Sequence, residues 1–297
     1  MEPHWDDLRV FLAVARAESL SEAGRRLKVD PATVGRRVAR LEEALGAPLF
    51  AKSPQGYALT DAGQRLIAHA ARAEQAMGEA VEELAGKAGQ LSGTIRIGAP
   101  DGCANFLLPG VCARIAAENP DLEIQIVALP RVVNLSKREA DMAIAVSPPT
   151  AGRLSVQKLS EYRLHFAASA EYLETAPPLE SLADLAAHRV IGYIPDMIFD
   201  KELDYLSDLA DRLPLASNSI SVQLNLIRHA AGLGIVHDFA LPSAPEVKKV
   251  LEAEFSLTRA FYLIRHDDDR RLERMNRFAT ALAEGIRREV TMLERAA

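Results

Sequence analysis

The sequence predicts an α+β multidomain chain: a small helical unit with a β-hairpin, one long helix, and a larger α/β domain. Three observations carry this. The first sixty residues hold short amphipathic helix patterns followed by a strand-turn-strand pattern. A long helical pattern follows, with an apolar seam. After residue 92, strand-like and helix-like segments alternate, as they do in α/β domains. A chain of 297 residues is also long enough for more than one core.

The bulk numbers narrow the class. Hydrophobic residues make up 48% and charged residues 26%, as in a soluble globular protein. No apolar run approaches the roughly 18 residues of a membrane span, and the start, "MEPHWDDLRV", has no secretory pattern. Two cysteines, Cys103 and Cys112, make neither a disulfide framework nor a zinc set. A reduced, cytoplasmic protein with no metal and no cofactor is expected.

The elements follow in order. Leu8, Phe11, Leu12 and Ala15 give the first helix one apolar face. Ser19 or Ser21 can cap a second helix of about two turns. Asp30 and Pro31 open a third helix as N-cap and first helical residue, and Gly46 stands just past its end. "APLFAKSPQGYALT" reads as a hairpin with its tip near Ser53 to Gly56, and Thr60 can cap the next helix. That helix, about 61 to 86, carries Leu66, Ala70, Ala73, Met77, Ala80 and Leu84 at heptad spacing. The seam predicts pairing of two chains through Leu66, Ala70, Ala73, Met77 and Leu84; packing on the chain's own domain is the plainer alternative.

"GKAGQLSG" (86–93) reads as a linker. Beyond it "TIRIG", "LEIQIVAL", "DMAIAV", "RLHFAAS", "RVIGYI" and "AGLGIVH" read as strands in mostly parallel sheets. "NFLLPGVCARIAAENP", "KELDYLSDLAD", "SVQLNLIRHAAG" and the last segment, about 270 to 293, read as helices. The domain boundaries expected are 1–60, 61–90 and 91–297. The last is large enough for two subdomains.

The charge distribution points to a partner. Net charge is −6, yet residues 1–60 carry nine basic and eight acidic side chains, and the remainder 26 and 33. From Gly24 to Leu41 there are six basic residues and one acidic one. On a helical wheel, Val34, Val38, Leu41 and Leu45 share a narrow face, and Thr33, Arg36, Arg37 and Arg40 share the arc beside it. A solvated face would interleave acids among the arginines, and none lies between Pro31 and Leu41. A short helix and a turn before this helix give helix-turn-helix geometry, with the second helix suited to the major groove of duplex DNA. Arg36, Arg37 and Thr33 are then candidates for base contacts, with Ala32 beside them. Arg40 and Ser21 are candidates for phosphates. Lys52, Ser53 and Gln55 flank the hairpin tip, where a wing meets phosphate or the minor groove.

Enzyme signatures are missing: no Gly-rich phosphate loop, no HExxH and no GxSxG. "RHDDDRR" (265–271) reads as a turn before the last helix rather than a metal cluster. Cys103 reads as a small buried residue, with a redox-sensing thiol as the alternative.

These residues resemble the LysR-type transcriptional regulators. The resemblance rests on "FLAVARAESLSEAGRRLKVDPATVGRRVARLEEALGAPLF" and "ALTDAG", with the pattern at Ala23, Val34, Arg37, Leu41, Glu42, Leu45, Gly46, Leu49, Phe50, Leu59, Thr60, Ala62 and Gly63. "GTIRIGAP", "LLP" (107–109), "READMAIAV" and "AAGLGIV" extend it over nearly the whole chain. The start Pro31-Ala32-Thr33 departs from the serine-rich start of many members, and Lys52 and Gln55 stand where arginines are common. The segment between residues 127 and 142 is short.

The resemblance implies a winged helix-turn-helix, a linker helix that pairs subunits, and a two-lobed effector domain like periplasmic binding proteins. Lobe I would span about 91–164 and 266–297, and lobe II about 165–265. It implies no catalysis. It implies binding to an inverted repeat in double-stranded DNA, with RNA polymerase left open as a further partner, and assembly into dimers or tetramers. A small-molecule effector would bind between the lobes, near Asp101, Gly102, Cys103, Arg131, Pro195, Ser219 and His237. Helix N-termini there suit a carboxylate, whereas Asp101 would repel one. The remaining alternative is a metabolite-binding protein or enzyme in which DNA contact is incidental.

Overall fold

A computed structural model describes residues 2–53, 56–84, 91–128, 140–149, 152–210, 212–267, 269 and 272–297. The chain divides into two compact units, 1–89 and 90–297.

The first unit contains α1 (Trp5–Ala17), α2 (Leu20–Leu27), α3 (Pro31–Leu45), β1 (Phe50–Ser53), β2 (Gly56–Leu59) and α4 (Asp61–Leu84). Three of the helix starts have a local cause. Ser19, not Ser21, caps α2 by accepting from the Glu22 N–H at 3.4 Å. Asp30 accepts from the Ala32 N–H at 2.8 Å, with Pro31 as the first helical residue. Thr60 accepts from the Gly63 N–H at 3.1 Å and donates to the Pro48 carbonyl at 2.7 Å, which ties α4 to the hairpin. Gly46 closes α3 at φ 66°, a left-handed conformation that glycine adopts without a Cβ clash.

The core joins Val10, Phe11, Leu12 and Val14 to Ala23, Val34, Val38, Leu41, Leu49 and Phe50. The expected α1 face packs here, with Phe11 and Leu12 buried in the core and Leu8 and Ala15 packed against its margin. Leu45, expected on the α3 apolar face, is 40% exposed because the last helical turn runs past the core. Glu42 accepts from the N–H groups of Leu49 (2.7 Å) and Phe50 (3.2 Å), so this carboxylate holds the entry to β1. At Gly63 a Cβ would lie 2.2 Å from the Leu49 carbonyl, so only glycine lets α4 approach the hairpin so closely.

The second unit holds β3 (Gly93–Ala99), α5 (Asp101–Phe106), α6 (Leu108–Glu118), β4 (Leu122–Ala128), β5 (Met142–Ala145), β6 (Leu154–Ser169), α7 (Ala170–Thr175), β7 (Val190–Gly192), β8 (Leu215–Ala216), α8 (Ile220–Arg228), β9 (Leu233–His237), β10 (Val247–Val250), β11 (Leu257–His266) and α9 (Glu273–Arg295). Its strands run β4-β3-β5-β11-β6-β9-β7-β8, with β10 also on β6. The expectation of mostly parallel pairing is corrected here. Parallel pairs occur at the two ends, β4-β3-β5 and β9-β7-β8, but the middle is antiparallel. The cause is the length of β6 and β11. They pair with each other over most of their length and serve both lobes, where the sequence pattern marks only "RLHFAAS" in β6.

Tyr262–Arg265 of β11 pair with β5, so these residues belong with lobe I rather than with the lobe II span of 165–265. The register of β11 shifts between Phe261 and Tyr262. "KELDYLSDLAD" is not a helix: only Lys201–Leu203 form a 3-10 turn. Tyr205 and Leu206 are both buried, in an irregular strap that follows this turn. No helix among the described residues is long and apolar enough to cross a membrane.

Candidate nucleic-acid interface and ligand pockets

The arginine arc exists, and the structure divides it. Arg36 donates to the Thr33 hydroxyl at 3.0 Å, at the exposed start of α3. Arg37 pairs instead with Asp6, and Arg40 with Asp7, Nε to Oδ2 at 2.6 Å and Nη2 to Oδ1. The acids missing from α3 are thus supplied by the first turn of α1. The two pairs differ. Asp6 is 51% exposed, whereas Asp7 is 1% exposed beneath an Arg40 side chain that is 47% exposed. The hydrogen bond to Asp7 raises the pKa of Arg40 further above its ordinary value. Arg40, expected to hold phosphate, therefore also compensates a buried carboxylate and locks α3 to α1.

Arg25 and Arg26 both reach Glu22. Ser21 and Ala32 are exposed on α2 and α3. The side chains of Lys52, Ser53 and Leu84, and the whole of Gln55 and Arg131, lie outside the described residues. In α4, Ala70 is buried and Leu66 partly buried in the unit's own core, and Arg16 pairs with Glu74 at 2.6 Å. The first half of the heptad seam is thus spent within the chain. Ala73 is half-buried and Met77 is 53% exposed, which leaves Met77 free on the second half.

In the second unit the expected effector residues separate into two groups. Asp101, Gly102, Cys103 and His237 line a space of about 20 Å³, room for little more than a water. The reason is internal. Asp101 Oδ2 accepts from the Ser219 hydroxyl (3.0 Å), the Ser221 N–H (3.0 Å) and the Ser221 hydroxyl (3.1 Å). Ser219 also caps α8, accepting from the Val222 N–H at 3.3 Å. The helix N-terminus that suits a ligand carboxylate already holds the chain's own.

His237 stacks on Tyr162 with ring centroids 5.3 Å apart. Burial lowers its pKa to about 3, so the imidazole is neutral. Burial raises the Cys103 thiol far above its ordinary value and that of Cys112 to about 11. Neither is a thiolate, which disfavours the redox-sensing alternative.

Pro195 lies elsewhere, on a pocket of about 580 Å³ lined from Ile191 to Ile235. Tyr193, Phe199 and Leu203 face both this pocket and the small space at Asp101. Asp200 accepts a hydrogen bond from the Ser147 hydroxyl, and Arg259 of β11 pairs with Glu202 at 3.1 Å. The strap 195–206 therefore walls off the cleft from within. Sequence reasoning missed Asp6, Asp7 and Tyr205. The acidic pair in "WDD" was a visible signal, but nothing local connects it to α3.

Comparison with known proteins agrees with this architecture. A family described as bacterial regulatory helix-turn-helix protein, lysR family, matches residues 5–64, and the LysR substrate binding domain matches residues 88–287. The transcriptional regulator DgdR of Burkholderia cepacia is 34% identical over 146 residues, 48% of this chain and 49% of that protein. DmlR of Escherichia coli is 30% identical over 186 residues, 62% of this chain and 60% of that protein. The chain thus matches about half to three fifths of these two relatives' length.

A full-length OxyR variant of Pseudomonas aeruginosa shares the fold with a TM-score of 0.70 at 19% identity, covering 96% of this chain and 95% of that one. Full-length LysG of Corynebacterium glutamicum, with bound effector Arg, gives 0.62 at 19% identity over 97% and 98%. With both family models in place and covering nearly its whole length, the chain belongs to the LysR family of bacterial helix-turn-helix regulators.

Proposed function

We propose that the protein is a sequence-specific DNA-binding transcriptional regulator whose activity a small molecule controls through the second unit. It works by binding and not by catalysis, in the cytoplasm. The observation that carries this reading is the exposed start of α3, where Thr33 and Arg36 are joined on the arc that the helix-turn-helix presents. Thr33, Arg36 and Arg37 read bases, with Arg37 exchanging Asp6 for the nucleic acid. Ser21 and the wing at Lys52, Ser53 and Gln55 hold phosphates, while Arg40 serves mainly to fix α3.

The partners are an inverted-repeat promoter site, a second copy of the chain paired through the Met77 half of α4, and RNA polymerase at the promoter. The test is a salt-controlled binding titration on the protein's own promoter fragment. Specific retention that Arg36→Ala and Arg37→Ala weaken supports the reading. Wild-type affinity in both variants overturns it. Met77→Asp, rather than a change at Leu66 or Ala70, tests pairing by sedimentation, because those two residues belong to the core of the first unit. Dimers that persist unchanged in Met77→Asp would refute the α4 interface.

A further inference from the structure

Two polar contacts border the small space at Asp101, and each joins the two parallel ends of the sheet. Asp101 opens α5, which follows β3, while Ser219 and Ser221 stand at the start of α8, which precedes β9. Asp101 Oδ2 accepts from both serine hydroxyls and from the Ser221 N–H. Ser147 follows β5, while Asp200 stands in the strap between β7 and β8, and Asp200 Oδ2 accepts from the Ser147 hydroxyl. The contacts are reciprocal. The carboxylate comes from the β3 end in the first and from the β7 end in the second.

Each carboxylate divides its two oxygens in the same way. Oδ1 stays within its own segment: that of Asp101 accepts from the Asn105 side chain at 2.9 Å, and that of Asp200 from the Glu202 N–H at 2.9 Å. Oδ2 reaches across. The carboxylate is thus aimed by its own end of the sheet before the other end arrives. All five residues of the two contacts are partly buried, so water can take over either half of a bond when the lobes part. Between the contacts, Cys103, Val146, Phe199 and Leu203 line a space of only about 20 Å³.

We infer that these two carboxylate–serine contacts form a double latch that closes the cleft with the chain's own groups. A molecule enters only when Asp101 releases Ser219 and Ser221 and Asp200 releases Ser147. The latch governs access, and its link to regulation rests on the proposed reading of this cleft as the effector's.

The test reads Cys103, which lines the closed space and is 0% exposed. Its rate of alkylation by iodoacetamide is followed in the full-length protein by mass spectrometry. Cys112, buried on α6 and outside that space, reports global unfolding. Ser147→Ala removes one contact entirely and should speed Cys103 roughly tenfold or more, the share that one hydrogen bond to a charged group gives the closed form. Ser221→Ala removes one of three bonds at Asp101 and should speed it less. The two gains should multiply in the double variant, because both act on one closed-to-open equilibrium. Cys112 should keep its wild-type rate throughout. Unchanged Cys103 rates, equal acceleration of both cysteines, or gains that fail to multiply overturn the double latch. The readout is a rate on the protein alone, so its failure leaves the DNA-binding and effector readings standing.

Discussion

The two units each answer a charged group marked for a ligand with a partner from inside the chain, but they do so in opposite ways. On α3, Arg37 meets Asp6 across an exposed ion pair. Such pairs contribute only about 0–1 kcal/mol, so a phosphate or a base edge can replace the carboxylate. At α8, the Oδ2 of Asp101 is held by two hydroxyls and one N–H in a half-buried setting. That arrangement satisfies a helix terminus, and a ligand would have to displace three bonds at once. Exposure, not charge, separates a residue held ready from a residue held fast.

The largest expected effect breaks the fixed side. Asp101→Ala should destabilise the second unit by about 2–3 kcal/mol in thermal or denaturant unfolding, because it leaves donors at the start of α8 unpaired. The freed N-terminus should then bind sulfate or acetate, so that millimolar anion restores stability to the variant and not to the wild type. Equal responses of the two proteins would remove the contrast.

Next in size, Arg37→Ala should lower specific DNA affinity by about 1–3 kcal/mol in a titration at fixed salt. An unchanged affinity would mean that the pair with Asp6 persists on DNA.

His237 offers a third handle, on the fixed side. Its folded pKa of about 3 lies below the unfolded value of 6.5. Between these values the unfolded chain binds the proton and the folded one does not. Stability is therefore full above pH 6.5 and falls as the pH drops towards 3, by at most about 1.4 kcal/mol per pH unit from this one group. His237→Phe, which keeps an aromatic ring against Tyr162, should flatten unfolding free energies measured between about pH 6.5 and 4.

The smallest effect lies on the exchangeable side. Asp6→Ala frees Arg37 and should tighten DNA binding by under about 1 kcal/mol, with a steeper salt dependence. Weaker binding would show that Asp6 positions Arg37 and does not compete for it.

Much of this was open to reading along the chain because its causes are local. Asp30, Pro31 and Gly46 set the limits of α3 within the helix itself, and Ser219 caps α8 three residues from its partner. The hairpin follows from its own alternation, and its pairing from Phe50 to Leu59 is observed. What escaped was set by distance. Arg37 and Arg40 find Asp6 and Asp7 across 31 and 33 positions, and Asp101 finds Ser219 across 118. Helical periodicity compares only neighbours on one element, so it could find the arginine arc but not its counter-charges. The same limit explains the sheet. Strand-helix alternation suggests parallel order, while the antiparallel centre depends on β6 continuing through "LSVQKLSEY", where mixed polarity hides the strand.

That continuity has a mechanical meaning. β6 and β11 form one hydrogen-bonded ribbon that passes through both lobes, with its register slipped at Phe261 and Tyr262. A ribbon of two long strands resists stretching and shearing, since either motion breaks a row of hydrogen bonds together, but it twists easily. Torsion about this axis is therefore the relative motion of the lobes that the ribbon opposes least. For the same reason neither lobe is an exchangeable module: a chimaera with a relative would have to be spliced through the middle of two paired strands.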